Sequence, residues 1–191
     1  MQRYIKYSFI TNTIVSIENT LAMTNMLSTV STFDNEIVRS FSYISKDIIG
    51  QVSSAVYLLY TKGKIDKNPR SILLISNILQ QSAYISMSLC HLYPTKFIFI
   101  TGISSILFNI SFILQGAINT KCIQRLSENN IGEIYTHVAV INTLASSLGI
   151  SFGMMLLWLF PSRTIRCFFI PMLGIARIYT YKKACENLIY I

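Results

Sequence analysis

The sequence predicts an all-α fold, a polytopic membrane helix bundle of about six transmembrane helices built as a single domain over residues 1–191. Composition comes first: 52% of residues are hydrophobic, only 13% are charged, and the mean hydropathy is +0.49. An ordinary soluble domain carries about 25% charged residues, so this chain has too little charge to cover itself against water. Second, apolar runs long enough to cross a bilayer, about 20 residues each, recur along the chain. Third, the basic residues sit between those runs, as loop charges that orient a membrane protein do.

Taken in order, the first helix runs from about Ser8 to Val30 and contains Glu18. The second, about Ile37 to Thr61, contains Lys46 and Asp47. The third runs from about Ser71 to Leu92, the fourth from about Lys96 to Asn119, and the fifth from about Ile134 to Phe160. These three are the clearest, with no charge in their middles. The sixth, about Thr164 to Tyr181, holds Pro171, where a kink is expected because proline removes a helical donor. Thr32–Glu36 joins the first pair, and Thr61–Pro69 joins the second and third helices. Pro94 marks the next turn. Glu133 is placed to favour the positive end of the fifth helix.

The net charge is +8. On a soluble protein that would suggest nucleic acid, but the interspersed placement excludes nucleic acid as a partner here. With the N-terminus in the cytosol, eleven cations face inside: Arg3, Lys6, Lys62, Lys64, Lys67, Arg70, Lys121, Arg125, Arg177, Lys182 and Lys183. Arg39, Lys96, Arg163 and Arg166 face outside, and Lys46 lies within a helix. That split obeys the positive-inside rule only for an even number of helices, which predicts both termini on the cytosolic side. No signal peptide is evident after the basic start, so insertion is expected to rest on the helices themselves.

The candidate intramembrane polar site comprises Lys46, Asp47, Glu18, Asn109 and Asn142. Charge at mid-membrane costs about 2.5–3.5 kcal/mol on the insertion scale. Lys46 and Asp47 therefore mark either a ligand or proton site facing the bundle interior or a helix end from which they snorkel to the interface. Glu18 is either a partner for Lys46 across the bundle or a wetted group on an interfacial first helix, and the wetted reading is preferred. Asn109 and Asn142 either pack helices together or line a solute path, with packing preferred. In the loop after the second helix, Lys64, Asp66, Lys67 and Arg70 form a basic cytosolic cluster. Asp66 there accepts from Arg70 or caps the third helix, whose start Pro69 favours. The cations there could also meet anionic lipid heads.

Cys90, Cys122, Cys167 and Cys185 form no C-x-x-C pair and read as structural thiols, with neither a metal site nor a disulfide frame expected. Sequence signatures of nucleophile elbows, phosphate loops and metalloproteases do not occur, so neither enzyme activity nor a cofactor is expected.

Several stretches resemble the Root UVB-sensitive family. Tyr4-x-x-Tyr7 followed by Leu21-Ala22 and Met26-Leu27 is similar to the family's opening, although Thr29 to Thr32 stand where its glycine-rich turn falls. Ile44-Ser45-Lys46-Asp47-Ile48-Ile49-Gly50 resembles L-K-D-G-x-G, with Ile at the first of the glycines. Asp66-Lys67-Asn68-Pro69-Arg70 is similar to D-x-D-P-K-x-W-R, shortened and lacking the Trp. Tyr93-Pro94, Asn109, the stretch Asn129–Ile134 ahead of a helix with Asn142, Leu144 and Gly149, and the closing Arg177–Ala184 follow in the family's order. The resemblance covers almost the whole chain and implies a divergent member linked to ultraviolet-B tolerance, early seedling growth and homeostasis of the pyridoxal vitamin. A looser likeness joins Asp66-Lys67-x-Pro69-Arg70 to the D-R-x-G-R loop of major facilitator transporters, with the bundle resembling half of such a transporter.

Three functions follow as expectations. The first is a Root UVB-sensitive-like membrane protein in vitamin or metabolite homeostasis. The second is a transporter half that moves a small solute as a homodimer, since a half alone cannot enclose a path. The third is a membrane-docked helical scaffold. The expected partners are the lipid bilayer, a second copy of the chain and a protein of unknown identity.

Overall fold

The computed structural model describes residues 1–31, 36–61, 68–127 and 130–189. Six α-helices make up the fold: α1 (Gln2–Val30), α2 (Glu36–Thr61), α3 (Pro69–Leu89), α4 (Phe97–Leu126), α5 (Ile131–Leu159) and α6 (Arg163–Ile189). Two short 3-10 turns, Cys90–Leu92 and Pro94–Lys96, join α3 to α4. Among the described residues there is no strand.

Local chemistry explains the ends. Pro69 occupies the first turn of α3, where a missing N–H costs nothing and its fixed φ suits the helix. Pro94 and the extended Tyr93 break the chain before α4. Glu133 lies in the first turn of α5, near its positive dipole end. Before α6, Arg166 Nη2 donates to the Pro161 carbonyl at 2.7 Å. α6 continues through Pro171. Beside that proline, Gln81 Nε2 of α3 donates to the Ile170 carbonyl at 3.0 Å, tying α3 to α6 at this level.

α1 is the axis of the bundle. It packs against α5 on one side and against α3 and α6 on the other, while α4 lies between α3 and α2. The α1–α5 seam is tight because α5 offers glycines. A Cβ on Gly149 would run into the Thr13 carbonyl oxygen, and one on Gly153 would lie 2.7 Å from Thr20 Cβ. Small residues let backbones approach, as in membrane helix pairs. At one end of the bundle, Arg3 Nη2 meets Glu186 Oε2 at 2.9 Å, so the first turn of α1 and the last turns of α6 lie side by side. Among the described residues, both ends of the chain thus sit at the same end of the bundle.

Polarity is distributed the reverse of a soluble domain's. The buried set includes Glu18, Asn25, Asn77, Gln80 and Arg177. The exposed set includes Val52, Val56, Leu144, Met155 and Trp158, the last 82% exposed. α5 buries only Val138, Ala145, Gly149 and Gly153, all of them small or medium residues. Among the described residues, three helical stretches, Pro69–Leu92, Pro94–Leu126 and Ile131–Leu159, are long and apolar enough to cross a membrane.

Candidate functional site: a buried ion pair beside a polar cavity

The polar interior is built on one face of α3. Asn77, Gln80, Gln81 and Tyr84 fall at helical spacing, so their side chains project toward the same side. Arg177 of α6, fully buried, reaches into that row. Its Nη2 donates to the Gln81 side-chain oxygen at 3.0 Å and to the Asn77 carbonyl at 3.2 Å. Its Nη1 donates to Asn77 Oδ1 at 3.3 Å and to Gln80 Oε1. Its Nε lies 2.8 Å from Glu18 Oε2 of α1, off the line of a hydrogen bond. One guanidinium thus ties the first, third and sixth helices together. A planar fork of five donors is suited to this, and lysine would not be.

Gln80 connects this network to a cavity of 470 Å³ bounded by α1, α3, α4, α5 and α6. Gln115 Nε2 donates to Gln80 Oε1 at 2.7 Å, and Gln80 Nε2 to Tyr84 Oη at 3.3 Å. On the opposite wall, Asn12 Nδ2 donates to Asn142 Oδ1 at 2.8 Å, and Ser8 Oγ to the same oxygen at 3.2 Å. Tyr181 Oη donates to Asn119 Oδ1 at 3.0 Å. Phe108 packs its ring 5.7 Å from that of Tyr84, giving the cavity an aromatic wall. Exposed Phe112 and Tyr135 flank it where α4 and α5 diverge. The size falls within the range of small-molecule sites, about 300–1,000 Å³.

The site residues named from sequence separate. Asn142 lines the cavity. Asn109 donates to the Ser105 carbonyl at 2.8 Å and lies against Gly50 of α2, away from the cavity lining. Glu18 corrects both expectations for it: it is buried, not wetted, and its counter-charge is Arg177, not Lys46. The reason is position, since α1 is the bundle's axis and faces α6, while α2 packs on α4. Lys46 is buried and forms an ion pair with its neighbour Asp47 at 2.6 Å. Asp47 is half exposed, so of the two only Lys46 is held in the interior. Arg70 lies exposed in the first turn of α3, while Lys64, Asp66 and Lys67, with the Asp66 cap, fall outside the described residues.

Arg177 is the residue the sequence reading misplaced. It was counted among inside-facing loop cations, and it is interior. The signal was present, because Arg177 lies within the predicted sixth helix and Glu18 within the first, and two opposite charges in spans are expected to meet. The row Asn77, Gln80, Gln81 in an otherwise apolar helix was a second signal.

The fold and the site together define a class, a helical bundle with an apolar exterior and a polar, partly hollow core. Residues 1–189 match the family described as the vitamin B6 photo-protection and homoeostasis domain. The chain belongs to this family, the Root UVB-sensitive family. It is also similar to the protein root UVB sensitive 3 of Arabidopsis thaliana, 21% identical over 118 residues that cover 61% of this chain. The matched stretch spans 27% of that relative's length. No solved structure matches the chain.

Proposed function

We propose that the chain is a membrane-embedded protein of vitamin B6 homoeostasis that acts by holding a small polar molecule in its internal cavity and performs no bond chemistry itself. The observation that carries this reading is the 470 Å³ cavity, hydrogen-bonding on the inside of a bundle whose outside is apolar. Lipid accounts for that inversion, because exposed Leu, Met and Trp cost nothing against acyl chains while polar groups gather inside. The family's description, vitamin B6 photo-protection and homoeostasis, supports a form of that vitamin as the molecule held. We place both termini in the cytosol, a reading supported by the distribution of the loop cations other than the buried Arg177.

The test compares vitamin B6 pools in cells making the chain, cells lacking it, and cells making Gly116→Leu. Gly116 lines the cavity, and a Cβ added there has no neighbour within 4 Å, so a larger side chain starts from open space at the cavity wall. A pool shift with the native chain that Gly116→Leu abolishes supports the proposal, whereas equal pools in all three would sink it.

A second reading is the transporter half acting as a homodimer. What favours it is the flank of the cavity between α4 and α5, bordered by exposed Phe112 and Tyr135, which a second copy could cover. Flux of labelled solute into sealed vesicles, together with crosslinking across that flank, distinguishes it from a binding protein.

A further inference from the structure

We propose that the cavity accepts the vitamin in its unphosphorylated, net-neutral form and rejects its phosphate ester, an inference that rests on the vitamin B6 reading above. Among the described residues the cavity lining contains no Lys, Arg, His, Asp or Glu. Behind Gln80 the lining is backed by Arg177 and Glu18, opposite charges 2.8 Å apart. Arg177 already directs both Nη groups at Asn77, Gln80 and Gln81 and is paired in charge with Glu18, so it offers no cationic fork to a phosphate. A phosphate ester carries about −1.5 to −2 charges at pH 7. Placed in this cavity it would exchange water for carboxamides and hydroxyls with no counter-charge, which burial of an ion does not tolerate.

The same lining suits a hydroxylated, nitrogen-bearing aromatic ring. Carboxamides both donate and accept. Asn142 uses its oxygen on Asn12 and Ser8, and Gln115 uses its nitrogen on Gln80. That leaves the Asn142 amide nitrogen and the Gln115 amide oxygen unpartnered on the cavity wall, one donor and one acceptor. The tilted Tyr84–Phe108 pair provides the apolar surface for the ring.

The experiment uses the full chain in lipid nanodiscs and equilibrium dialysis of pyridoxine and pyridoxine 5′-phosphate. Both probes are alcohols, so neither forms an imine with lysine and only cavity binding is read. The expected result is that pyridoxine binds at least about tenfold more tightly than its phosphate ester and that Gly116→Leu and Asn142→Ala each weaken it about tenfold. Equal or tighter binding of the ester would overturn the inference while leaving the vitamin B6 reading in place. Pyridoxine binding unchanged in both variants would overturn the assignment to this cavity. If neither probe binds a chain whose helicity and monodispersity are intact, the vitamin B6 reading itself fails.

Discussion

Gly149 of α5 lies directly against the backbone carbonyl of Thr13 in α1, with no room for a β-carbon between them. Gly153, one turn on, lies against the Thr20 side chain. α5 is therefore held chiefly along a single seam, and that seam is also one edge of the cavity, since Asn12 and Asn142 bond across it.

It follows that Gly149→Leu destabilises the chain by about 1–3 kcal/mol, the usual cost of overpacking. Gly132→Ala, where an added methyl meets nothing within 4 Å, should be neutral or slightly stabilising. Thermal unfolding of the two variants in the same detergent is the check. Equal midpoints would show that α5 is not locked to α1 by this approach.

The ion pair between Glu18 and Arg177 gives a second prediction. Removing one member of a buried pair strands the other and typically costs about 3–5 kcal/mol, while replacing both by apolar residues is often near neutral. Glu18→Leu and Arg177→Met are each expected to lower stability strongly, and the double variant to recover most of the loss. A double variant as unstable as the sum of the singles would mean that the two charges do not act on each other.

The contact between the chain ends is pH-sensitive. The hydrogen bond from Lys183, then the nearby Lys183 and Arg3 charges, hold the Glu186 carboxyl below its usual range. A depressed folded-state pKa stabilises above the unfolded value, about 4.3, and the contribution is lost as pH falls through the folded value. Acidification below about pH 4 should therefore loosen α6 from α1 at this end. Spin labels near Arg3 and Glu186 should separate in acid, and Glu186→Gln should remove the pH dependence. Separation that persists unchanged in that variant would assign it to another group.

Membrane integration predicts that alkaline carbonate leaves the protein in the pellet, and release into the supernatant would refute it. Tags at the two ends should be equally open to protease in sealed vesicles. Opposite protection would require an odd number of crossings, against the neighbouring positions of Arg3 and Glu186.

The six helices were legible because long apolar runs and proline or polar breaks are local signals. Pro69 at the start of α3 and the three clearest spans illustrate this. The polar interior was only half legible. Asn142 stood out as a polar group in an apolar run, yet its partner Asn12 was hidden in an α1 rich in Ser, Thr and Asn, where no single residue contrasts with its neighbours. The pairing of Glu18 with Arg177 depends on which helices touch, which hydropathy does not encode. Reading Arg177 as a topology signal, unlike Lys46, places it in water, whereas it is buried.

Synthesis gives the Glu18–Arg177 pair a further meaning. A chain is made from its N-terminus, so the acid emerges with α1 and its base only with α6, after the four helices between them. Throughout that interval the central helix carries a charge that no other part of the nascent bundle answers in the finished way. A chain that stalls or is cut short before α6 keeps Glu18 without the guanidinium that answers it in the folded bundle.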